Sequence, residues 1–381
     1  MSSFSARRLL CCLLLLCLML SLAGCGKTPV EAKDPPDTET SDPALPTPDL
    51  PGGEPTSEMP DPVVEGTTPS ESGVNPLTGL SDGISDEALN RRPVAIMVSN
   101  IITSLPQWGV SDADILVEML AEGRITRLMA IYQDYTKIDH IASIRSARPY
   151  FIDMAQSFGA VYIHFGGSVP AYNAIAARKD LIDLDGIKGS WEGTVFFRDP
   201  GRKAELGSEH SVYTTGELLG KAFTKMDADL SQTEHPSAFA FSGTSDAASG
   251  ESGTKVQIVF SENHKPYFEY DPGIGKYLRY EYGAKQMDGW TNEQISVKNV
   301  VILRMDVTDV PNNALHLIEV QTTGSGEGYY FCEGRYIPIV WSKDAYNGEL
   351  KICGADGQEI RFVPGQTFIS CCARTGKVNI W

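Results

Sequence analysis

The sequence is short of positive charge. Its 381 residues carry 32 lysines and arginines against 49 aspartates and glutamates, a formal net charge of −17. That balance argues against general nucleic-acid binding, which needs a basic face toward the phosphates. Histidine is also scarce, at six residues, and no Cys–His spacing has the form of a zinc site. There is no Walker loop, dinucleotide fingerprint, zinc-protease motif or calcium loop. No repeat of 20–50 residues is visible. Gly166-Gly167-Ser168 lacks the Gly-x-Ser-x-Gly elbow of the hydrolase fold. Ser208 and Ser211 flank His210, but neighbours in sequence rarely have triad geometry. Beyond the N-terminus no apolar run could cross a hydrocarbon core of ~30 Å. The expectation is therefore a binding protein rather than an enzyme, with no established catalytic motif, no cofactor, no metal site and no nucleic-acid partner.

What is present begins with an export signal. Arg7 and Arg8 precede an apolar run from Leu9 to Leu20. A basic start, a short apolar stretch and small residues at its end describe a signal peptide. The end is Leu22-Ala23-Gly24-Cys25, which resembles the lipobox of bacterial lipoproteins. The resemblance implies lipidation of the Cys25 thiol and removal of residues 1–24. Two acyl chains would hold the protein stably on a membrane. The expected location is the extracytoplasmic face of the bacterial cell membrane.

Residues 26–73 hold eleven prolines and eleven acids against two lysines, Lys27 and Lys33. So little apolar surface cannot support a core. The stretch 25–73 reads as a disordered, extended tether. A flexible chain of that length spans roughly 40 Å, and proline lengthens it.

The remainder is globular, and too long for one ordinary core. The expected class is α+β: a mixed α/β layered N-terminal domain over 74–241 and a β-rich C-terminal domain over 254–381. Between them 242–253, rich in Ser, Gly, Ala and Thr, reads as a linker or insertion. In the first domain Pro93–Ser99, Thr126–Tyr132, Ile138–Ile144 and Ala160–Phe165 read as strands. Pro149–Phe158 and Pro170–Arg178 read as helices, the first opened by its proline. In the second domain strands are expected at Lys255–Phe260, Tyr267–Tyr270, Tyr277–Tyr282, Val297–Met305, Leu315–Gln321, Gly328–Cys332, Arg335–Trp341, Ile360–Val363 and Thr367–Cys372. Their spacing favours a sandwich or barrel-like arrangement. The many aromatics there are expected to pack with each other rather than stack on sugars. Cys332, Cys353, Cys371 and Cys372 are either buried thiols or include one disulfide. Adjacent Cys371 and Cys372 would point to opposite faces of a strand.

Several motifs together resemble a known family. Asn75-Pro76-Leu77-Thr78-Gly79 is followed by Pro93–Asn100, by Ile144-Arg145-Ser146-Ala147-Arg148-Pro149-Tyr150, by His164-Phe165-Gly166-Gly167-Ser168 and by Phe197-Arg198-Asp199. With Trp341 and Pro364-Gly365-Gln366-Thr367 downstream, these are similar to the YerB-like lipoproteins over about residues 74–375. The resemblance implies an extracytoplasmic domain of unknown function with its own C-terminal domain. It implies no reaction.

Arginine placement carries the chemical expectation. Of the fourteen arginines after the signal, nine lie between Arg91 and Arg202. Arginine offers a planar fork of donors suited to carboxylate and phosphate. Arg124, Arg127, Arg145, Arg148, Arg198 and Arg202 fall at expected element ends. Gly166, Gly167 and Ser168 offer backbone N–H groups at a helix start, with His164 before them and His210 further on. These residues are expected to converge on an anion-binding cleft for an envelope ligand, or for a protein partner. The alternative is that each arginine pairs with a local acid such as Glu118, Glu122 or Asp153.

Ser143-Ile144-Arg145-Ser146 is also loosely similar to the Ser-Ile-Pro-Arg-Asp motif of LytR–CpsA–Psr phosphotransferases. That analogy implies an envelope phosphotransferase or pyrophosphatase as the second reading. Ser146 stands where that motif has its acid, which removes the group expected to support metal binding.

Overall fold

The computed structural model describes residues 73–81, 83–232 and 239–381. The signal peptide, Cys25 and the tether up to residue 72 lie outside them. Among the described residues no helix is long and apolar enough to cross a membrane.

Three apolar stretches lay down the centre. Val94–Ser99, Ile115–Leu120 and Thr126–Tyr132 are strands in which every residue is buried. A strand buried at every residue, without alternation, needs cover on both faces. Here they lie inside an eleven-stranded sheet. Its order runs Glu251–Ser252, Arg335–Lys343, Gly324–Cys332, Asn299–Met305, Thr367–Ala373, Ile115–Leu120, Thr126–Tyr132, Val94–Ser99, Val161–His164 and Asp183–Asp185, with Lys351–Cys353 paired to the Arg335 strand. The Thr367 strand lies parallel to both neighbours, Ile115–Leu120 on one side and Asn299–Met305 on the other. One sheet thus runs without interruption through strands from both halves of the chain. The segment expected as linker or insertion adds a short edge strand, Glu251–Ser252, beside Arg335–Tyr336.

A smaller sheet takes further C-terminal strands in the order Ala284–Lys285, Lys276–Glu281, Tyr267–Asp271, Lys255–Val259 and Lys377–Ile380. Its Lys255 and Lys276 strands alternate between buried and part-exposed residues, so one face is covered. That face sends Val256, Ile258, Phe268 and Tyr277 against Val300, Ile302 and Phe368 of the large sheet. The opposite face of the large sheet is covered by the helix Pro149–Ser157. Its Phe151, Met154 and Ala155 join Met97, Met119, Val301 and Leu303. Pro149 stands in the helix's first turn, where its missing N–H costs nothing. Gly159 follows its end at φ +63°, the left-handed conformation that glycine adopts without strain. Sheet on sheet and helix on sheet together make the α+β class expected.

Several expected strands shorten or split: Leu315–Gln321 becomes Ile318–Val320 and Ile360–Val363 becomes Arg361–Phe362. Ile138–Ile144 contracts to Ile141–Ala142, which pairs with the three-residue strand Val212–Thr214 and, at Ala142, with Trp108. Val297–Met305 is split at Lys298. Ser296–Val297 pairs in the small sheet and Asn299–Met305 in the large one, so the chain changes layers at that residue.

The aromatics pack as expected. Tyr267 and Tyr280 stack across strands at 4.6 Å, and Tyr277, Tyr330 and Trp341 are buried. The four described cysteines are free thiols. Cys371 and Cys372 enter the cores on opposite faces of the sheet. The Arg335 strand separates Cys332 from Cys353.

Candidate functional site

The site forms where loops leave the strand ends of the large sheet. The turn Glu122–Arg124 joins Ile115–Leu120 to Thr126–Tyr132. The segment Arg145–Arg148 crosses beside it and enters the Pro149 helix. The segment Phe165–Ser168 leaves Val161–His164 and enters the helix Val169–Ala177, capped by Ser168 Oγ accepting from Ala171 N–H at 3.3 Å. The last two segments are stitched together. Phe165 N–H donates to the Arg145 carbonyl at 3.0 Å and Ala147 N–H to the Gly166 carbonyl at 2.8 Å. Gly166 sits at φ +77°, and a Cβ there would meet Ile187 at 2.8 Å. The left-handed angle favours glycine, while the exposed end of Ile187 could move aside. Arg127, Arg145, Arg148, Gly166, Gly167 and Ser168 are brought together in this way.

Glu122 is the hub of their charges. Arg148 Nε donates to Glu122 Oε2 at 2.7 Å and its Nη2 reaches Oε1 of the same carboxylate. Arg127 Nη2 donates to Oε1 at 2.5 Å, and its Nη1 donates to the Ser146 carbonyl at 2.6 Å. Arg145 turns to Glu209 at 2.6 Å. Burial would raise the Glu122 carboxyl, but Arg127 and Arg148 outweigh it and hold the group below the usual carboxylate range. Arg127 is pushed down to about 10, first by burial and then by the charge of Arg148, with Arg145 adding to it. Three guanidinium groups therefore share two carboxylates, with like charges crowded at the strand ends.

The other expected residues divide. His164 is fully buried beneath the Gly166 turn, with Nδ1 2.7 Å from the Gly166 carbonyl and Nε2 2.6 Å from Asp183 Oδ1. It supports the turn and has no open face. Arg124 is exposed and pairs with Asp309 at 3.0 Å. Arg198 pairs with Glu192 at 2.7 Å. Arg202 is buried and donates to the carbonyls of Ser104, Pro106 and His210 and to Ser143 Oγ. It ties loops together and holds no carboxylate. His210 is buried beside it, its imidazole pushed down by burial and by Arg145. Local pairing thus accounts for Arg198, a pair across 185 residues for Arg124, and backbone capping for Arg202.

A cleft of about 570 Å³ opens at Arg148. Arg148, Pro149, Tyr150 and Ser168 line one side, and the hairpin of Val307–Asp309 and Ile318–Val320 the other. Its acids Asp153 and Asp306 are held by Arg178 and Arg374, while Glu319 stands exposed on the hairpin. Tyr150 is 2% exposed, and its hydroxyl has no hydrogen-bond partner among the described residues. Burial raises that phenol well above its ordinary range, against the pull of Arg148 and Arg127. A buried O–H without an acceptor is unfavourable.

Sequence reasoning missed the Tyr150 hydroxyl, named there only as part of a motif. It also missed a second polar group between the sheets, built on Glu118, His264, Arg279 and Glu281. Glu118 lies 146 residues from His264 and 161 from Arg279, so no local spacing could have announced their contact.

The arrangement has known counterparts. A model described as the N-terminal domain of a protein of unknown function (DUF3048) matches residues 77–229, and the corresponding C-terminal domain matches 256–369. The relative named "Putative lipoprotein YerB" from Bacillus subtilis (strain 168) is 30% identical over 300 residues, covering 77% of this chain and 85% of that one. The crystal structure of YerB protein from Bacillus subtilis matches with a TM-score of 0.68 at 27% identity, over 80% of this chain and 99% of that chain. With both domain models matched in order and a relative of this identity along most of its length, the chain belongs to the DUF3048 family, the family of the YerB lipoprotein.

Proposed function

We propose that this protein is a lipid-anchored, extracytoplasmic binding protein that takes an anionic group of a cell-envelope ligand at the Arg148 end of the cleft. The carrying observation is the Tyr150 hydroxyl, buried on the cleft wall beside Arg148 and lacking an acceptor. A phosphate or carboxylate oxygen there would satisfy that donor and relieve the crowding of Arg127, Arg145 and Arg148. The anchor is read from the lipobox at Cys25 and agrees with the lipoprotein name of the Bacillus relative.

Tyr150→Phe removes the hydroxyl and breaks no described hydrogen bond. Inorganic pyrophosphate titrated calorimetrically into the mature protein should bind, and Tyr150→Phe should bind about tenfold more weakly, the worth of one charge-assisted hydrogen bond. No heat with the unsubstituted protein at millimolar pyrophosphate, or equal affinity in the variant, refutes the reading. For the anchor, Cys25→Ser should appear in the soluble fraction or as an unprocessed precursor. Membrane retention at the mature mass would refute it.

A phosphotransferase reading gains less support. Ser146 brings no carboxylate to Arg145. Among the described residues the metal-ligating type of cluster lies elsewhere, at Glu118, His264 and Glu281.

A further inference from the structure

The polar group between the two sheets has a geometry of its own. Glu118 lies on the strand Ile115–Leu120, His264 precedes the strand Tyr267–Asp271, and Glu281 ends the strand Lys276–Glu281. One ligand atom from each lies within 4.8 Å of the others. His264 Nε2 is 3.0 Å from Glu118 Oε1 and 3.3 Å from Glu281 Oε1. Such separations are the edges of a coordination shell with metal–ligand bonds of about 2.0–2.2 Å. All three side chains are 4% exposed or less.

Two buried carboxylates face one guanidinium, Arg279, and one imidazole, His264, so a bound cation would balance the group with that imidazole neutral. Arg279, flanked by the rings of Phe268 and Phe368, donates Nη2 to Glu118 Oε2 at 2.6 Å. Its Nε donates to Gln286 Oε1 at 3.1 Å. Glu281 has no guanidinium of its own. Asn100 Nδ2 donates to Glu281 Oε1 at 2.7 Å, while the buried Oε2 has no partner among the described residues. A buried carboxylate without a countercharge is strongly disfavoured. A proton on Oε2 would find no acceptor among the described residues, and one on Oε1 would be shared with His264 Nε2 at 3.3 Å, beside the N–H of Asn100. That amide is oriented by Gln107 and Gln286, whose Nε2 groups both donate to Asn100 Oδ1.

We propose that Glu118, His264 and Glu281 bind one divalent transition-metal ion. Two carboxylate oxygens and one imidazole nitrogen suit zinc or manganese better than calcium or magnesium. Asn100 and Arg279 hold the carboxylates from outside, as partners behind metal ligands do. Thr126 Oγ1, 3.0 Å from His264 Nε2 and 2.9 Å from Glu118 Oε1, lies beside the three ligands. The ion is enclosed, so its role is structural. It ties a strand of the first family domain to the small sheet of the second.

The test is metal content of the mature protein purified without chelator, read by elemental mass spectrometry. Close to one zinc or manganese per chain is expected. Stripping with dipicolinate in mild denaturant should lower the melting temperature, and refolding with zinc or manganese chloride should restore it. Glu281→Gln keeps an acceptor for Asn100 and should retain at most a tenth of the metal. Absence of metal both as purified and after refolding with zinc or manganese overturns the proposal, as does full metal content in Glu281→Gln. If that variant fails to fold, the metal content of the unsubstituted protein still decides.

Discussion

Replacing Glu122 by glutamine isolates the charge at the centre of the arginine cluster. Glu122 neutralises Arg127 and Arg148, whose side chains are 4% and 9% exposed. Removing one partner of a buried ion pair costs about 3–5 kcal/mol. Glu122 itself is 22% exposed, and glutamine keeps one acceptor, so the lower end applies, about 3 kcal/mol. Unfolding entropy near 2.1 cal/mol/K per residue gives about 0.6 kcal/mol/K for a body of roughly 300 residues. The melting temperature should therefore fall by about 5 °C at pH 7. The pH dependence has a definite sign. A carboxyl held below its ordinary value, 4.5 for glutamate, stabilises the fold above that value and loses its contribution as pH falls through the lowered one. The gap between the two proteins should thus narrow below pH 4.5. Pyrophosphate should also raise the variant's melting temperature more than the parent's, because an anion substitutes for the lost carboxylate. Calorimetric melts from pH 3 to 8 measure all three effects. A variant melting within about 1 °C of the parent at pH 7 would show that Glu122 does not hold the arginines.

Two further outcomes follow from buried groups. Lys343 is buried and donates to the carbonyls of Asp153 and Tyr346, and burial lowers its ammonium from 10.5 to about 8. Between those values the unfolded chain holds a proton that the folded one has released, so this group makes stability rise with pH, by up to about 1.4 kcal/mol per unit. Lys343→Met should abolish that rise in melts between pH 8 and 10.5, and an unchanged slope would refute it. Burial raises the thiol of Cys371 well above its ordinary range and that of Cys372 to about 11. Reaction of Cys371 and Cys372 with a thiol reagent should therefore be slow in the native protein, half-buried Cys353 should react sooner, and denaturation without reductant should make Cys332, Cys353, Cys371 and Cys372 all reactive. A melting temperature that drops on adding dithiothreitol would reveal a disulfide instead.

Much of the site was legible because its parts are local. Arg145, Arg148, Gly166 and Ser168 belong to short motifs between recognisable strands and helices. Strand ends on one edge of a sheet necessarily bring such loops together. Arg198 and Arg202 looked the same by position, yet they serve Glu192 and backbone carbonyls. Nothing in the local sequence distinguishes a guanidinium that caps carbonyls from one that crowds against its own kind.

By itself the sequence determined the class of the fold and most of its elements. Period-two alternation, unbroken apolar strands and proline-opened helices are properties of a few consecutive residues. Only the tertiary structure decided that Thr367–Ala373 lies between Ile115–Leu120 and Asn299–Met305, making one sheet of both domains. Only it placed Glu118 against His264, Arg279 and Glu281. Those contacts are chosen by which apolar faces bury each other across more than a hundred residues of chain, and no local pattern records that choice.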